Sequence, residues 1–262
     1  MTIEDIHVEQ RNGVRTIRLD RPAKRNSLAR PHLDVLRELL VSYAKDPSVR
    51  CLVITGTGKA FCAGADVDEW AQAEARGELD TYGWTDKAHA LVQALAAFPR
   101  PTVAAINGSA VGAGTDIGFA CDFRIASASA SLRCGYTGMG YSPDMGGTWF
   151  LPRIARPDVA KRFIFLNERW SAQDACAAGL VSEVIEDSAF QEHVGRFADR
   201  LASGPSVAFD HAKALLAGSL SATLAEQLER EMAAGVACGH SEDGQEALRA
   251  SVEGRAPLFA GR

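Results

Sequence analysis

The sequence has no long apolar run, no block of basic residues and no cationic, apolar leader. Its 262 residues include 28 Lys and Arg against 33 Asp and Glu, a formal net charge of −5. No apolar stretch approaches the roughly 20 residues that cross a bilayer, and the start MTIEDIHVEQ lacks the pattern of a signal peptide. The charge balance argues against nucleic acid. We therefore expect a cytoplasmic protein with neither a membrane nor a nucleic-acid partner.

Paired cysteines are also missing. No Cys-x-x-Cys pair occurs, which argues against a zinc site and against a disulfide framework. We predict that the thiols are small buried hydrophobic groups in a reducing compartment, and that no metal is bound. The six cysteines are irregularly spaced, at Cys51, Cys62, Cys121, Cys134, Cys176 and Cys238.

Strand patterns alternate with helix patterns through the first part of the chain. The segments IHVEQ and VRTIRL flank the turn RNG and predict a β-hairpin. CLVITG and PTVAAING are typical of buried strands, and helix patterns follow the hairpin and precede PTVAAING, in RPHLDVLRELLVSYAKD and DKAHALVQALAAF. AGTDIGFAC predicts a helix and DFRIAS a strand. This alternation predicts an α/β fold with a parallel sheet.

The pattern changes after about residue 155. SAQDACAAGL predicts a short helix with Ser171 as its N-cap and Gly179 just past its end, and VSEVI predicts one last strand. From Asp187 onward the patterns are almost all helical. We therefore predict a core at residues 1–195 and a C-terminal helical region at 196–262, which packs on the core or on another subunit.

Two glycine-rich stretches stand where a buried strand passes into a helix, ITGTGKAFCAGADVDEW and AAINGSAVGAGTDIGFACD. The second predicts a helix that opens near Gly112–Ala113, where unpaired N–H groups and the helix dipole would stabilise a carbonyl oxygen that gains negative charge. A dinucleotide site is the alternative. GAGTDIG has one residue too many for that motif, and no acidic residue follows about 20 residues later.

The chain resembles the crotonase, or enoyl-CoA hydratase/isomerase, superfamily. The resemblance covers nearly its whole length. It implies an α/β spiral of ββα units, a C-terminal helical trimerisation region, trimers or dimers of trimers, and a CoA thioester as ligand with no separate cofactor. The segments that carry it, in order, are RLDRPAKRNSL, FCAGADV, INGSAVGAGTDIGFACDFRIAS, GYSPDMGGTWFLPR and SAQDACAAGLVSEVI.

Residue by residue, the resemblance implies an oxyanion hole made by the backbone N–H groups of Ala65 and Ala113. Lys24 and Arg25 are candidates for the CoA phosphates, although exposed basic residues near a turn are commonly only solvated. The implied substrate-binding set is Lys24, Arg25, Ala63, Ala65, Asp66, Val67, Asp68, Gly112 and Ala113.

The two glutamates of the family's hydratases are both replaced. The first matches Asp116, three residues after Ala113 on the same helix, and the second matches Tyr136, whose phenol is a poor base. Asp144, in GYSPDMGGTW, is the candidate for the acid/base that these two replacements remove. Non-hydratase branches carry an aspartate here, and PDMGGTWFLPR resembles the 1,2-epoxyphenylacetyl-CoA isomerase branch, in which it is the acid/base.

Several functions remain open at this point. The favoured one is a double-bond shift from 3-enoyl to 2-enoyl-CoA, or isomerisation of a ring epoxide, with Asp144 as acid/base. A hydratase using Asp116 with Asp144 is the second. A displacement like that of 4-chlorobenzoyl-CoA dehalogenase is the third, with Asp144 as nucleophile and His89 assisting it. A CoA-ester-binding protein without turnover is the fourth.

Structural roles compete with each catalytic one. Asp144 could be the N-cap of a helix starting at Met145 or Gly146, Asp116 could be a structural acid, and His89 a partly exposed helix residue. Four aromatic residues could line a pocket suited to a ring or belong to the core. These are Trp84, Tyr136, Tyr141 and Trp149.

Overall fold

Two sheets organise the protein, whose computed structural model describes residues 4–77 and 81–262. The large sheet has the strand order β1-β2-β3-β5-β7-β10 and the small one β4-β6-β8-β9. The strands are β1 (Ile6–Arg11), β2 (Val14–Leu19), β3 (Cys51–Gly56), β4 (Ala60–Cys62), β5 (Thr102–Ile106), β6 (Ser109–Val111), β7 (Phe123–Ser127), β8 (Ser131–Arg133), β9 (Trp170–Ser171) and β10 (Glu183–Ile185).

Helices connect the strands and make up the C-terminal part of the chain. They are α1 (Arg30–Ala44), α2 (Val67–Ala75), α3 (Thr81–Ala96), α4 (Ala113–Ala120), α5 (Gly147–Ile154), α6 (Pro157–Leu166), α7 (Ala172–Ala177), α8 (Phe190–Ala202), α9 (Ser206–Gly218), α10 (Leu224–His240) and α11 (Glu242–Glu253). The hairpin, the buried strands and the helices predicted from the sequence are all present.

The chain winds repeatedly from the large sheet to the small sheet and then into helices. β3 is followed by β4 and α2, β5 by β6 and α4, and β7 by β8 and α5. Within each sheet these strands pair with one another in parallel, and the edge strand β9 pairs antiparallel with β8. This succession is the predicted spiral of ββα units, and it places the ends of β4 and β6 beside each other.

The central strands β3 and β5 of the large sheet are buried on both faces, because their residues alternate between two apolar clusters. On β3, Leu52 and Ile54 belong to the main core with α1 and α3, whereas Cys51 and Val53 pack in a second cluster with α8. At its edge, β1 and β2 are joined by Asn12 and Gly13, both at positive φ, as a two-residue hairpin requires.

The C-terminal helices attach to the core through ion pairs. On α9, Asp210 pairs with Arg100, and Lys213 Nζ lies 2.7 Å from Asp122 Oδ2. The predicted boundary between a core at 1–195 and a helical region at 196–262 falls within α8. That division stays a prediction. α9–α11 leave many large apolar side chains exposed, among them Leu216, Leu224, Leu228, Met232, Val236, Leu248 and Val252.

The cysteines are unpaired, and four of the six are buried. Burial raises the pKa of the Cys51, Cys62 and Cys121 thiols to about 12. These thiols therefore behave as the predicted small hydrophobic groups. Within residues 4–77 and 81–262, no group of three His, Cys, Asp or Glu side chains could hold a metal ion. No described helix is long and apolar enough to cross a bilayer.

Candidate active site

A cavity of about 220 Å³ lies where the two glycine-rich turns meet. Residues 63–65 after β4 and residues 111–113 at the end of β6 and start of α4 form one side of it. The other side is formed by Tyr136, Met139, Tyr141 and Asp144, together with Trp70 and Trp84 from α2 and α3. The cavity therefore brings together the two turns and the PDMGG segment that the sequence singled out.

Two backbone N–H groups face this cavity from the two turns. Ala113 is the first residue of α4, and Ala65 follows Gly64, which has φ of 89°. A Cβ at position 64 would lie 2.8 Å from the carbonyl oxygen of Val111 and 3.4 Å from the nitrogen of Ala113, so only glycine allows this approach. In the described part of the chain, neither N–H donates a hydrogen bond to a protein acceptor. Both N–H groups are therefore available to a ligand in the cavity.

The close contact of α4 with β4 depends on Gly114. A Cβ there would collide with the carbonyl oxygen of Cys62. The glycine therefore lets the helix N-terminus reach the turn after β4, and the helix dipole adds positive potential at the Ala113 N–H. GAG at 112–114 serves this packing and not a dinucleotide.

Asp144 lies in the cavity wall, in the loop before α5. Its Oδ1 atom is buried and has no hydrogen-bond partner. Burial raises the pKa of Asp144, while Tyr136 and His89 lower it. The cap interpretation is wrong: α5 begins at Gly147, and its N-cap is Gly146 at φ 90° with no side-chain capping bond. The Oδ1 atom is therefore available to a ligand.

Asp116 lies behind Tyr136, which lines the cavity. The hydroxyl of Tyr136 donates a 2.7 Å hydrogen bond to Asp116 Oδ2, and Asp116 is 2% exposed. Burial raises the pKa of Asp116 to about 7, against the lowering effect of that hydrogen bond. Tyr136, and not Asp116, lines the cavity.

His89 on α3 is exposed and does not line the cavity. Its Nε2 atom lies 2.8 Å from the backbone carbonyl oxygen of Asp144. The imidazole thus contacts the main chain of Asp144 and not its carboxylate. A role in assisting a nucleophile finds no support in this geometry, and the contact instead anchors the loop that carries Asp144.

The residues expected along a CoA ester divide into two groups. Ala63, Ala65, Val67, Gly112 and Ala113 line the cavity. The remaining side chains lie outside its lining: Lys24 pairs with Asp68, and the buried Asp66 caps α2 and binds Arg21 at 3.1 Å. Arg25 borders a second cavity of about 440 Å³, together with Lys59, Arg133 and Arg169.

The aromatic wall differs from the expected one by two residues. Trp84, Tyr136 and Tyr141 line the cavity, as expected. Trp149 does not; it is exposed and lies beneath the Arg153 guanidinium at 3.8 Å. Trp70, which sequence reasoning missed, meets Trp84 and Tyr141 edge to face, with centroids 6.0 and 5.6 Å apart. Its place one helical turn after Val67 on α2 was the available signal.

Comparison with known proteins decides the family. A sequence model described as Enoyl-CoA hydratase/isomerase matches residues 9–262. The chain belongs to the enoyl-CoA hydratase/isomerase family. This membership, together with the likeness to solved enoyl-CoA hydratases, confirms the predicted fold class.

Three relatives show how wide the family's named activities are. The chain is 36% identical over 262 residues to a probable enoyl-CoA hydratase of Rhodobacter capsulatus, covering 100% of both chains. It is 33% identical over 258 residues to 1,2-epoxyphenylacetyl-CoA isomerase of Escherichia coli, covering 98% of this chain and 97% of that one. A solved Pseudomonas aeruginosa structure, of PA4980, is 52% identical with a TM-score of 0.84, covering 88% and 99%.

Asp116 makes the stability of this family member depend on pH. Its folded pKa of about 7 lies above the value near 4 of an unfolded aspartate. The folded state therefore binds more protons between about pH 4 and 7, and stability is lost as pH rises through that window. We expect Asp116→Asn to remove this slope and to raise the free energy of unfolding at pH 8 by on the order of 3 kcal/mol.

Urea unfolding at pH 5 and at pH 8 measures this effect. Asp174→Asn is a matched control, since Asp174 is an exposed helix residue remote from the cavity lining. An equal pH slope in wild type and Asp116→Asn would contradict the raised pKa.

Proposed function

We propose that the protein is an acyl-CoA isomerase that shifts the double bond of a 3-enoyl-CoA to the 2 position. One observation carries the proposal. In the described part of the chain, Asp144 is the one carboxyl group that lines the cavity, and it faces the same space as the Ala65 and Ala113 N–H groups. A single acid/base beside an oxyanion site suits the movement of a proton between two carbons of one substrate.

The proposed reaction needs no group beyond these. The thioester oxygen accepts hydrogen bonds from the N–H groups of Ala65 and Ala113, which stabilise the enolate. Asp144 removes a proton from C2, and the electrons of that C–H bond form the dienolate. Return of the same proton to C4 leaves the double bond between C2 and C3. Proton and electrons balance, and no water is consumed.

Isomerisation of an epoxide on an aromatic acyl group is a special case of the same site. Trp70, Trp84 and Tyr141 form an edge-to-face aromatic wall, the arrangement in which a further ring packs favourably. The Escherichia coli relative named for a ring-epoxide substrate supports this case.

Hydration is the second candidate. Asp116 is a buried acid that accepts a hydrogen bond from Tyr136, and Tyr136 brings it close to Asp144. Asp116 therefore supplies the second carboxyl group that hydration requires. The burial of Asp116 argues against hydration, because its carboxyl group has no exposed surface that a water molecule can contact. Displacement through an Asp144 ester is less favoured, because His89 binds the backbone of Asp144. Binding without turnover has no observation in its favour.

An acyl-CoA panel in isotopic water separates these functions. With 3-enoyl-CoA we expect conversion to 2-enoyl-CoA, and in D₂O we expect deuterium only in the fraction of turnovers in which the proton on Asp144 exchanges with solvent before it is returned. In heavy-oxygen water we expect no label in that product. Oxygen label at C3 of the acyl chain would show hydration. Single-turnover transfer of the label into Asp144 would show displacement, and binding without any exchange would show an inert protein.

We further propose that the protein binds its substrate as a homotrimer or a dimer of trimers. The exposed apolar side chains of α9–α11 support this assembly, because such surfaces are normally covered. Arg25, which borders the cationic second cavity, is the better of the two candidates for a CoA phosphate, because Lys24 is already paired with Asp68.

A further inference from the structure

The turn after β4 is held against an N-terminal segment by a short parallel bridge, in which Leu28 pairs with Ala65. The N–H of Leu28 donates to the carbonyl oxygen of Gly64 at 2.8 Å, and the N–H of Asp66 donates to the carbonyl oxygen of Leu28 at 2.9 Å. In a parallel pairing these two bonds flank the residue between them, so the N–H of Ala65 points away from Leu28. The bridge therefore fixes the direction of the Ala65 N–H, and Ala65 lines the cavity.

The side chain of Arg21 binds both partners of this bridge. Its Nη1 atom donates to the carbonyl oxygen of Ser27 at 2.8 Å, and its Nη2 atom donates to Asp66 Oδ2 at 3.1 Å. Its Nε atom lies 3.1 Å from Asp5 Oδ2. The side chains of Arg21 and Asp66 are 19% and 9% exposed, so water screens their contact little. Because a guanidinium presents its donors in a rigid planar fork, three acceptors hold it in one orientation.

Asp66 joins the Ala65 turn to the cavity wall. Its Oδ1 atom accepts a 3.2 Å hydrogen bond from the N–H of Asp68 as the N-cap of α2, while its Oδ2 atom binds Arg21. Both carboxylate oxygens are therefore in use. The helix that Asp66 caps carries Trp70, which lines the cavity. Movement of Asp66 would therefore displace both the turn and the start of α2.

The N-terminal side of the bridge is also held tightly. Arg25 and Asn26 have φ of 52° and 57°, which non-glycine residues keep only where their surroundings demand it. Asn26 is 1% exposed, accepts a 2.9 Å hydrogen bond from the N–H of Arg21, and donates at 2.7 Å to the carbonyl oxygen of Ala60. The carbonyl oxygen of Arg25 then accepts from the N–H of Ala63 at 3.0 Å. Residues 21–28 thus form a fixed template for residues 63–66.

We propose that Arg21 is a positioning residue that fixes the direction of the Ala65 N–H toward the thioester oxygen. Arg21 lies outside the cavity lining and acts through Asp66 and the bridge. A misdirected donor binds the oxygen less well, and the loss is largest in the transition state, where the oxygen carries most charge. The effect therefore falls on kcat more than on KM. This inference rests on the proposed function only in assigning the Ala65 N–H to the thioester oxygen.

Arg21→Lys and Asp66→Asn test the contact from its two sides. Lysine keeps the charge, but one ammonium group cannot hold the three acceptors in the fork geometry. Asparagine still caps α2, but its single oxygen serves either the cap or Arg21. We expect each variant to lower kcat for 3-enoyl-CoA isomerisation by about 10- to 50-fold, with KM changed by less than about 3-fold.

Arg15→Lys and Asp46→Asn are matched controls, because the same arrangement recurs outside the cavity lining. Asp46 Oδ1 accepts from the N–H of Ser48 at 2.8 Å, and Asp46 Oδ2 accepts from Arg15 Nη2 at 3.4 Å. The Arg15 side chain is 17% exposed, close to the value for Arg21. Neither Arg15 nor Asp46 lines the cavity. Both controls should keep kcat within about 2-fold of wild type, and thermal unfolding compares the stability of all variants.

The stretching frequency of the thioester carbonyl separates positioning from a merely structural role. The probe is a saturated acyl-CoA with ¹³C at the thioester carbonyl, bound to each protein and measured by infrared difference spectroscopy. Hydrogen bonds from the oxyanion donors polarise this carbonyl and lower its frequency. We expect the full lowering in wild type and both controls and a smaller lowering in Arg21→Lys and Asp66→Asn. A merely structural role would reduce thermal stability and leave the frequency of the bound ester unchanged.

The outcomes distinguish failure of the positioning role from failure of the isomerase. Wild-type kcat or an unchanged carbonyl frequency in Arg21→Lys and Asp66→Asn overturns the positioning role and leaves the isomerase standing. If wild type binds the ester with a lowered frequency, the two variants weaken that lowering and no 3-enoyl-CoA is isomerised, positioning stands and the proposed function fails. An unshifted carbonyl in wild type overturns both. If Arg21→Lys does not fold, Asp66→Asn decides through its kcat and its carbonyl frequency.

Discussion

Asp144→Asn is expected to lower kcat for isomerisation by about 10³-fold or more, because it removes the one carboxyl group that lines the cavity. Asparagine has the same shape as aspartate and cannot take a proton from carbon. The Oδ1 atom of Asp144 has no hydrogen-bond partner to lose. Folding and the affinity for a saturated acyl-CoA should therefore change little. Steady-state kinetics and calorimetric titration measure the two effects separately.

Asp158→Asn offers a matched control for this experiment. Asp158 is an exposed residue of α6 whose carboxylate pairs with Arg156 and does not line the cavity. Its replacement should leave kcat within 2-fold of wild type. Activity of Asp144→Asn within a few-fold of wild type would refute the assignment of Asp144 as the acid/base.

Ala113→Pro should cost about 10²–10³ in kcat, because it deletes one oxyanion donor. Proline has no N–H, and its ring would occupy the place of the missing hydrogen. Ala113 is the first residue of α4, where proline is well tolerated since that N–H has no partner in the helix. The preceding residue, Gly112, adopts φ 56° and ψ −123° and lacks a Cβ that would clash with the ring.

Ala113→Gly keeps the N–H and serves as the control for Ala113→Pro. We expect it to retain kcat within about 5-fold, with a small loss of helix stability of the order of 1 kcal/mol. Circular dichroism of both variants tests whether α4 persists. Equal activities of the proline and glycine variants would mean that the Ala113 N–H does not bind the thioester oxygen.

The positions of many backbone elements followed from the sequence, because they depend on local patterns, but the short strands of the small sheet did not. Period-two and continuous apolar runs mark β2 and β3, and the glycines at 64 and 114 stand where a side chain would collide with neighbouring backbone. The motif order around Ala65, Ala113 and Asp144 predicted that three distant segments meet at one site, and these three residues line the same cavity.

Side-chain partnerships could not be derived in the same way. The bond between Tyr136 and Asp116 joins residues 20 apart, and neither residue type specifies the other. Whether Trp149 faces the cavity depended on whether α5 starts at residue 145 or at 147. A shift of two residues rotates a helical side chain by about half a turn. Trp70 was missed because its partners, Trp84 and Tyr141, lie on other segments.

Gly147 limits the mutational routes by which this site could change its chemistry. Any side chain at position 147 would collide with Asp116 Oδ1, so the second glycine of PDMGG and the short acid at 116 form an epistatic pair. A glutamate at 116 is one methylene longer and must find room in the same packed space. A site with glutamates at both 116 and 136 therefore requires a change of packing around α5 before or together with Tyr136→Glu. The order in which substitutions occur, and not only their number, therefore separates this site from one with two glutamates.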